Sequence, residues 1–257
     1  MNFCITNQFR NESHRLEEWV LYHLHQGFDS FILFDDFSED DSVEKLNTLK
    51  SKYGINIIVE KTDGKGAKFK NSSETNSYNG NGQVASRVAR SATKGIEIAR
   101  NINPDCVIFI GEVDEFLHTP LDIKISDLIL NLQNEHSEKH LYIQSYDVCD
   151  EFNFDSWITC QEVTANRWSH EFRKNTIFHD RGKSITTPKT TNKVAEEGGH
   201  IHYLTTGDYR SFPESKRIDP NILRIHHFRK PSYLRTWNKT DDSLLVKSRK
   251  IKTFYQK

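Results

Sequence analysis

No run of 18 apolar residues occurs anywhere in the 257-residue chain, so no segment reads as a membrane-spanning helix. The opening MNFCITNQFRNE has no basic start followed by an apolar stretch, which predicts no secretory signal peptide. Cysteine is scarce and scattered: Cys4, Cys106, Cys149 and Cys160 form no C-x-x-C pair. That spacing excludes a zinc knuckle and a disulfide framework, and it suits a reducing cytoplasm. An excess of one charge is also missing. The formal net charge is −1, which argues against a nucleic-acid partner. There is no internal repeat and no clean linker, so the chain reads as a single domain over 1–257. What is present is enough apolar and aromatic material, 35% and 11% of residues, to build a sizeable core and exclude global disorder.

The first 120 residues alternate strand and helix signals. FCIT (3–6), SFILF (30–34), INIIVE (55–60) and CVIFI (106–110) read as strands. Between them, RLEEWVLYHLHQG (15–27) places Leu16, Trp19, Val20 and Leu24 on one helical stripe and stops at Gly27. DSVEKLNTLKSKYG (41–54) has an Asp-Ser start and a Gly stop, and 83–100 forms a longer helix. Strands joined by helices of this length imply crossover units and a mainly parallel sheet. Beyond residue 120 the pattern is less regular, with a helix at 126–132 and a strand at 139–148. The Asn/Ser/Gly-rich stretch 70–82 is a loop, either spacer or lid.

Two strands run into negative charge. VIFIGEVDEFLH (107–118) ends in Glu112, Asp114 and Glu115, and FILFDDFSEDDS (31–42) ends in Asp35, Asp36, Asp40 and Asp41. Ligands of open parallel sheets bind beyond the carboxyl ends of the strands. If the strand conformation continues, Glu112 and Asp114 share a face as i and i+2. Two carboxylates so placed repel unless a cation lies between them. A hard divalent ion is one answer, and a solvated acidic turn is the other. Asp40 or Ser42 also suits capping of the helix that follows.

RNESHRLEEWVLYHLHQGFDSFILFDDFSEDDS resembles the opening of family-2-like glycosyltransferases with the GT-A fold. These carry Asn-Glu after the first strand, a Glu-Trp…Tyr-His…Gly helix and an Asp-Asp-x-Ser-x-Asp turn. GEVDEFLH is similar to their Asp-x-Asp-Glu-Phe-Leu motif. RGKSITTP, GGHIHYL and RIHHFRKPSYLRTWNK are similar to later segments. The likeness covers about 1–120 well and 180–240 in patches. It implies an α/β fold, a GT-A (Rossmann-like) mainly parallel central sheet flanked by helices. Residues 1–120 would bind the nucleotide-sugar, and 121–257 would form an irregular acceptor half with a basic tail.

The resemblance also implies roles. Asn11 and Glu12 would border the nucleotide, and Asp36, with Asp35 beside it, would face the nucleobase. Asp114 matches the metal-ligating acid. Glu112 matches the first acid of the motif, which in the family is Asp. His226 aligns with the family's last metal ligand, so Glu112, Asp114 and His226 would hold Mn²⁺ or Mg²⁺. Gln83, Arg87 and Arg90 suit a diphosphate, though a solvated helix face suits them equally. Lys183, Arg229 and Lys230 would neutralise the leaving diphosphate, and His200 would lie near the transferred sugar. For the base, Asp147 and Glu171 are candidates among several acids of the acceptor half. The expected activity is metal-dependent transfer from a nucleotide-sugar, with UDP the expected carrier, to a hydroxyl of a glycan or glycolipid, with inversion. A metal-dependent phosphohydrolase or nucleotidyltransferase, or a non-catalytic nucleotide-sugar-binding protein, would use the same acids and histidines. The tail VKSRKIKTFYQK (246–257) holds five Lys/Arg, which suits the anionic face of a membrane or a frayed terminus.

Overall fold

The computed structural model describes residues 2–64, 83–136, 140–148, 164–166, 182–191, 193–194, 204–205, 216–227 and 245–247. Its first half alternates β1 (Phe3–Phe9), α1 (Ser13–His25), β2 (Ser30–Asp35), α2 (Ser42–Tyr53), β3 (Asn56–Lys61), α3 (Gln83–Ile102) and β4 (Val107–Ile110). β1 pairs in parallel with both β2 and β4, and β2 with β3. The order is therefore β4-β1-β2-β3, and these four strands are parallel, as the crossover pattern predicts. The α/β expectation holds, with helices on both faces.

Alternation along β1 explains the two layers. Phe3, Ile5 and Phe9 join Leu16, Trp19 and Val20 of α1 and Leu46 and Leu49 of α2 in one apolar core. Cys4 faces the other way, against Ala92, Ile96 and Ala99 of α3. A period of two in the strands meeting a period of 3.6 in the helices gives this three-layer arrangement. At the helix ends glycine does what the sequence suggests. Gly54 ends α2 at φ 65°. Gly27 follows α1 at φ 96°, and a Cβ there would stand 2.1 Å from Ser126 Oγ.

The second half is assembled from β5 (Glu115–His118), α4 (Ile125–His136), β6 (Leu141–Val148), β7 (Thr164–Asn166), β8 (Gly182–Thr186), the short pair β9 (Lys193–Val194) and β10 (Leu204–Thr205), β11 (Lys216–Arg217), β12 (Arg224–His227) and β13 (Leu245–Lys247). β8 lies between β4 and β6 and is antiparallel to both. β12 runs parallel to β6 and antiparallel to β5. Two expectations are corrected here. The strand at 107–110 does not continue through Asp114. It breaks at Gly111, and the Glu115 amide donates to the Glu112 carbonyl at 3.0 Å, closing a turn. Of the acids after it, Glu112 and Asp114 stay in this turn, and Glu115 opens a strand of its own, β5, which the sequence reading did not include.

Candidate metal centre

The β4–β5 turn lies at the carboxyl end of the parallel sheet, and α1 fixes it from one side. Trp19 Nε1 donates to the Glu115 carbonyl at 3.0 Å, and the Tyr22 hydroxyl to the Leu117 carbonyl at 2.5 Å. β12 fixes the other side, with His227 in register with Glu115 across β5 and with Asp147 across β6. Within this frame one ligand atom from each of Glu112, Asp114 and His227 lies within 4.8 Å of the others. His227 Nε2 is 3.3 Å from Asp114 Oδ2, and its Nδ1 is 3.9 Å from Glu115 Oε1. The second imidazole nitrogen thus faces the Glu115 carboxylate at a distance longer than a hydrogen bond. Two carboxylates and an imidazole are a donor set suited to Mn²⁺ or Mg²⁺, so these residues fit a divalent ion.

Cations of the chain itself also reach the turn. Lys183 Nζ, on β8, donates to Glu112 Oε1 at 2.6 Å and stands 3.4 Å from Glu115 Oε2. Arg15 of α1 lies 2.9 Å from Glu12 Oε2 and 3.9 Å from Asp114 Oδ2. These neighbours set the acidities. Burial pushes the Asp114 carboxyl up, but His227 and then Arg15 outweigh it and bring it to about 2. Burial likewise acts upward on Glu112, and Lys183 outweighs it, so this carboxyl lies below its ordinary value. Glu115 goes the other way. Its burial dominates and pushes it up to about 7. It nevertheless accepts the Glu112 amide through Oε2 at 2.9 Å. The turn thus carries two acids kept ionised and one poised near neutrality.

His226, expected as the metal ligand, is not part of this group. It is fully buried, stacks on His118 with ring centres 4.3 Å apart, and accepts from Arg224 Nε at 3.0 Å. Its burial, with His118 and Arg224 beside it, holds its pKa well below the ordinary histidine value. The imidazole that lies with Glu112 and Asp114 is that of its neighbour His227. A shift of one residue along a strand reverses the face a side chain takes, and an adjacent His-His pair leaves that choice open in the sequence.

Asp36 and Arg87, expected at a nucleobase and a diphosphate, are bonded to each other. Arg87 donates from Nε to Asp36 Oδ1 at 3.1 Å and from Nη2 to Oδ2 at 2.9 Å, and the Thr62 hydroxyl adds a bond to Oδ1 at 2.8 Å. Both side chains are at most 5% exposed. Arg90 is paired in the same fork manner with Asp63. Asp35 accepts the Ser38 amide at 2.9 Å. Asn11, at φ 53°, accepts the Glu39 amide at 2.8 Å, and so ties the tip of β1 to the tip of β2. Asp40 accepts from the Ser42 amide at 3.1 Å, but the N-cap position of α2 is Asp41 and no side chain caps it. Glu12 faces Arg15. Lys183, expected on a diphosphate, is engaged with Glu112 and Glu115. Gln83 starts α3 and Asp147 lies in β6, but their side chains are outside the described residues. So are Glu171, His200, Arg229 and Lys230 altogether. The residues at this turn to which the sequence reading gave no role are His227 and Arg15, and Glu115 was read only as part of the acidic cluster. Arg15 left a faint signal: a basic residue one turn into a helix whose apolar stripe packs beside an acidic strand tip.

No family model matches the chain. Over 227 residues, 88% of this chain and 35% of the relative, it is 26% identical to a glycosyltransferase family 92 protein of Ricinus communis. A glycosyltransferase family 92 protein of Oryza sativa subsp. japonica is 33% identical over 55 residues, 21% of this chain and 9% of that protein. The chain thus spans about a third, or less, of the length of these curated relatives. Among solved structures, S. aureus TarS 1-349 in complex with UDP matches 77% of this chain and 51% of its own, with a TM-score of 0.47 and 12% identity. The named relatives share glycosyltransferase with the family the motifs resemble, under family number 92.

Proposed function

We propose that this chain carries a metal-dependent glycosyltransferase site. It would move a sugar from a nucleotide-sugar, with UDP the expected carrier, to a hydroxyl of a glycan or glycolipid acceptor. The observation that carries this reading is the convergence of Glu112, Asp114 and His227 at the carboxyl end of a parallel sheet. The chain around that site is similar over most of its length to a protein named as a glycosyltransferase. Glu112, Asp114 and His227 would hold the divalent ion, with Glu115 facing His227 Nδ1 from 3.9 Å. A divalent ion held there would supply positive charge opposite a leaving diphosphate.

In the reaction, the acceptor oxygen forms a bond to the anomeric carbon, and the bond from that carbon to the phosphate oxygen breaks. The nucleoside diphosphate departs with the electron pair, and inversion follows from attack on the opposite face. The acceptor proton goes to a carboxylate. We assign that role to Asp147, whose backbone stands abreast of His227 in the adjacent strand. The dispersed cysteines suit a cytoplasmic protein, and the basic segment 246–257 suits contact with the inner face of a membrane.

The test is product analysis with UDP-sugars and Mn²⁺, without and with candidate acceptors. A transferase releases UDP, and free sugar or glycosylated acceptor appears in equal amount. Release of UMP with sugar 1-phosphate, or of inorganic phosphate, would instead assign the site to diphosphate cleavage.

A further inference from the structure

The side chain nearest the candidate ligand Glu112 is a cation from a distant strand. Lys183 is delivered there by close backbone packing. A Cβ added at Gly182 would stand 2.4 Å from the Ile143 carbonyl and 2.5 Å from the Tyr142 ring. Only glycine therefore lets β8 lie this close to β6 at the point where Lys183 turns toward the β4–β5 turn. The lysine side chain is 5% exposed. A buried ammonium requires compensation by carboxylates, and two are present.

Its choice between them is informative. Glu115, 2% exposed, is the buried acid a structural lysine would be expected to neutralise. Yet the shorter contact, 2.6 Å, is to Glu112, whose side chain is 40% exposed; Glu115 is at 3.4 Å. Glu115 has other partners in the Glu112 amide and His227. The ammonium is therefore placed on an oxygen of the metal ligand itself. Arg15 stands beside Asp114, the second carboxylate of the set.

We propose that Lys183 is the resident counter-ion of the metal centre, competing with the divalent ion for Glu112 and so setting how tightly that ion binds. This rests on the metal-site reading above. Without an ion, Lys183 keeps Glu112 and Glu115 from repelling each other and holds the turn in its ligating shape. When an ion enters, its charge meets that of the ammonium within a few ångströms, and the two repel. Bare ion binding is thereby weakened. A ligand bearing a diphosphate adds negative charge and restores the balance, so ion and diphosphate bind together rather than in turn. Lys183 is on this account a positioning residue, not a catalytic one.

The experiment is titration of the wild-type protein and Lys183→Met with Mn²⁺ alone, following free Mn²⁺ by electron paramagnetic resonance. The melting temperature without metal is measured in parallel. Lys183→Met is expected to bind Mn²⁺ about tenfold tighter or more, and to melt lower without metal. Its rise in melting temperature on adding Mn²⁺ is expected to exceed that of the wild type. If Lys183→Met fails to fold because Glu115 is left unpaired, the comparison passes to K183M/E115Q against E115Q, with the same expected tightening. Equal or weaker Mn²⁺ affinity after removal of the lysine overturns the competition and leaves the metal site standing. No Mn²⁺ binding by the wild type or either variant overturns the metal site, and the competition with it.

Discussion

Replacing Asp36 by alanine separates a structural from a ligand-binding role for the second acidic strand tip. In the folded chain this carboxylate accepts two bonds from the Arg87 guanidinium and one from the Thr62 hydroxyl, all between 2.8 and 3.1 Å. Neither member of the ion pair is more than 5% exposed, so solvent cannot replace what the mutation removes. Breaking a buried pair by deleting one partner costs about 3–5 kcal/mol, because the other charge stays buried without compensation. For a chain of this size that lowers the melting temperature by about 10 °C and takes a large share of a typical stability of about 5–15 kcal/mol. The assay is urea unfolding followed by circular dichroism. It is run on wild type, Asp36→Ala, and the double variant D36A/R87M, which removes both charges. The double variant is expected to recover at least half of the loss. A cost below about 1 kcal/mol for Asp36→Ala, or no recovery in the double variant, would refute the pairing as a structural element and return Asp36 to a role in ligand binding.

Acid should destabilise the protein, with a sign set by three buried histidines. His23 and His118 are held down to about 3, His23 by burial and His118 by burial and then Arg224, and His226 is also lowered. The folded state keeps these rings neutral where the unfolded chain protonates them, so stability is present above the ordinary value near 6.5 and is lost below it. Between pH 7.5 and 5.5 they remove about 4 kcal/mol together. Glu115, pushed up to about 7, contributes in the opposite sense, since the folded state retains its proton as pH falls. It offsets about 2 kcal/mol over the same interval, leaving a net loss of about 2 kcal/mol by urea midpoint at the two pH values. Unchanged or higher stability at pH 5.5 would contradict the buried neutral histidines. The neighbouring pair His226 and His227 should separate cleanly. His226→Ala is expected to cost about 2–4 kcal/mol of stability, since it removes a buried ring and the acceptor for Arg224 Nε. His227→Ala is expected to cost less stability and to lose Mn²⁺ affinity by a factor of about 10–100, read by calorimetry.

Much of the fold was legible in the sequence because its first half obeys simple periodicities. β1 to β4 and α1 to α3 fall within a few residues of their expected bounds, each announced by an apolar stripe, a glycine stop or a β-branched run. β5 was missed because it begins on the third of three closely spaced acids, and nothing local distinguishes a short strand there from a turn. The site was legible as chemistry and less so as geometry. The acids at 112–115 correctly raised the question of what cation lies among them. The local sequence cannot answer that Lys183, 71 positions away in sequence, already supplies one. Asp36 was read with its strand tip, whereas its partner Arg87 lies 51 positions on, in a helix on the other face. Pairings of this kind depend on register and crossover, not on any motif. The same holds for His227 over His226, which one residue of register decides.

The most direct test of the account is the melting temperature of wild type and Asp114→Asn with UDP, with Mn²⁺, and with both. A ligand that binds only the folded state raises the midpoint with its concentration relative to its affinity. The account predicts a rise in wild type with UDP and Mn²⁺ together that exceeds the rise with either alone. It predicts no such rise in Asp114→Asn, whose midpoint without ligand stays close to wild type. A UDP shift of equal size without Mn²⁺, or one that survives in Asp114→Asn, would contradict a metal centre built on Glu112, Asp114 and His227.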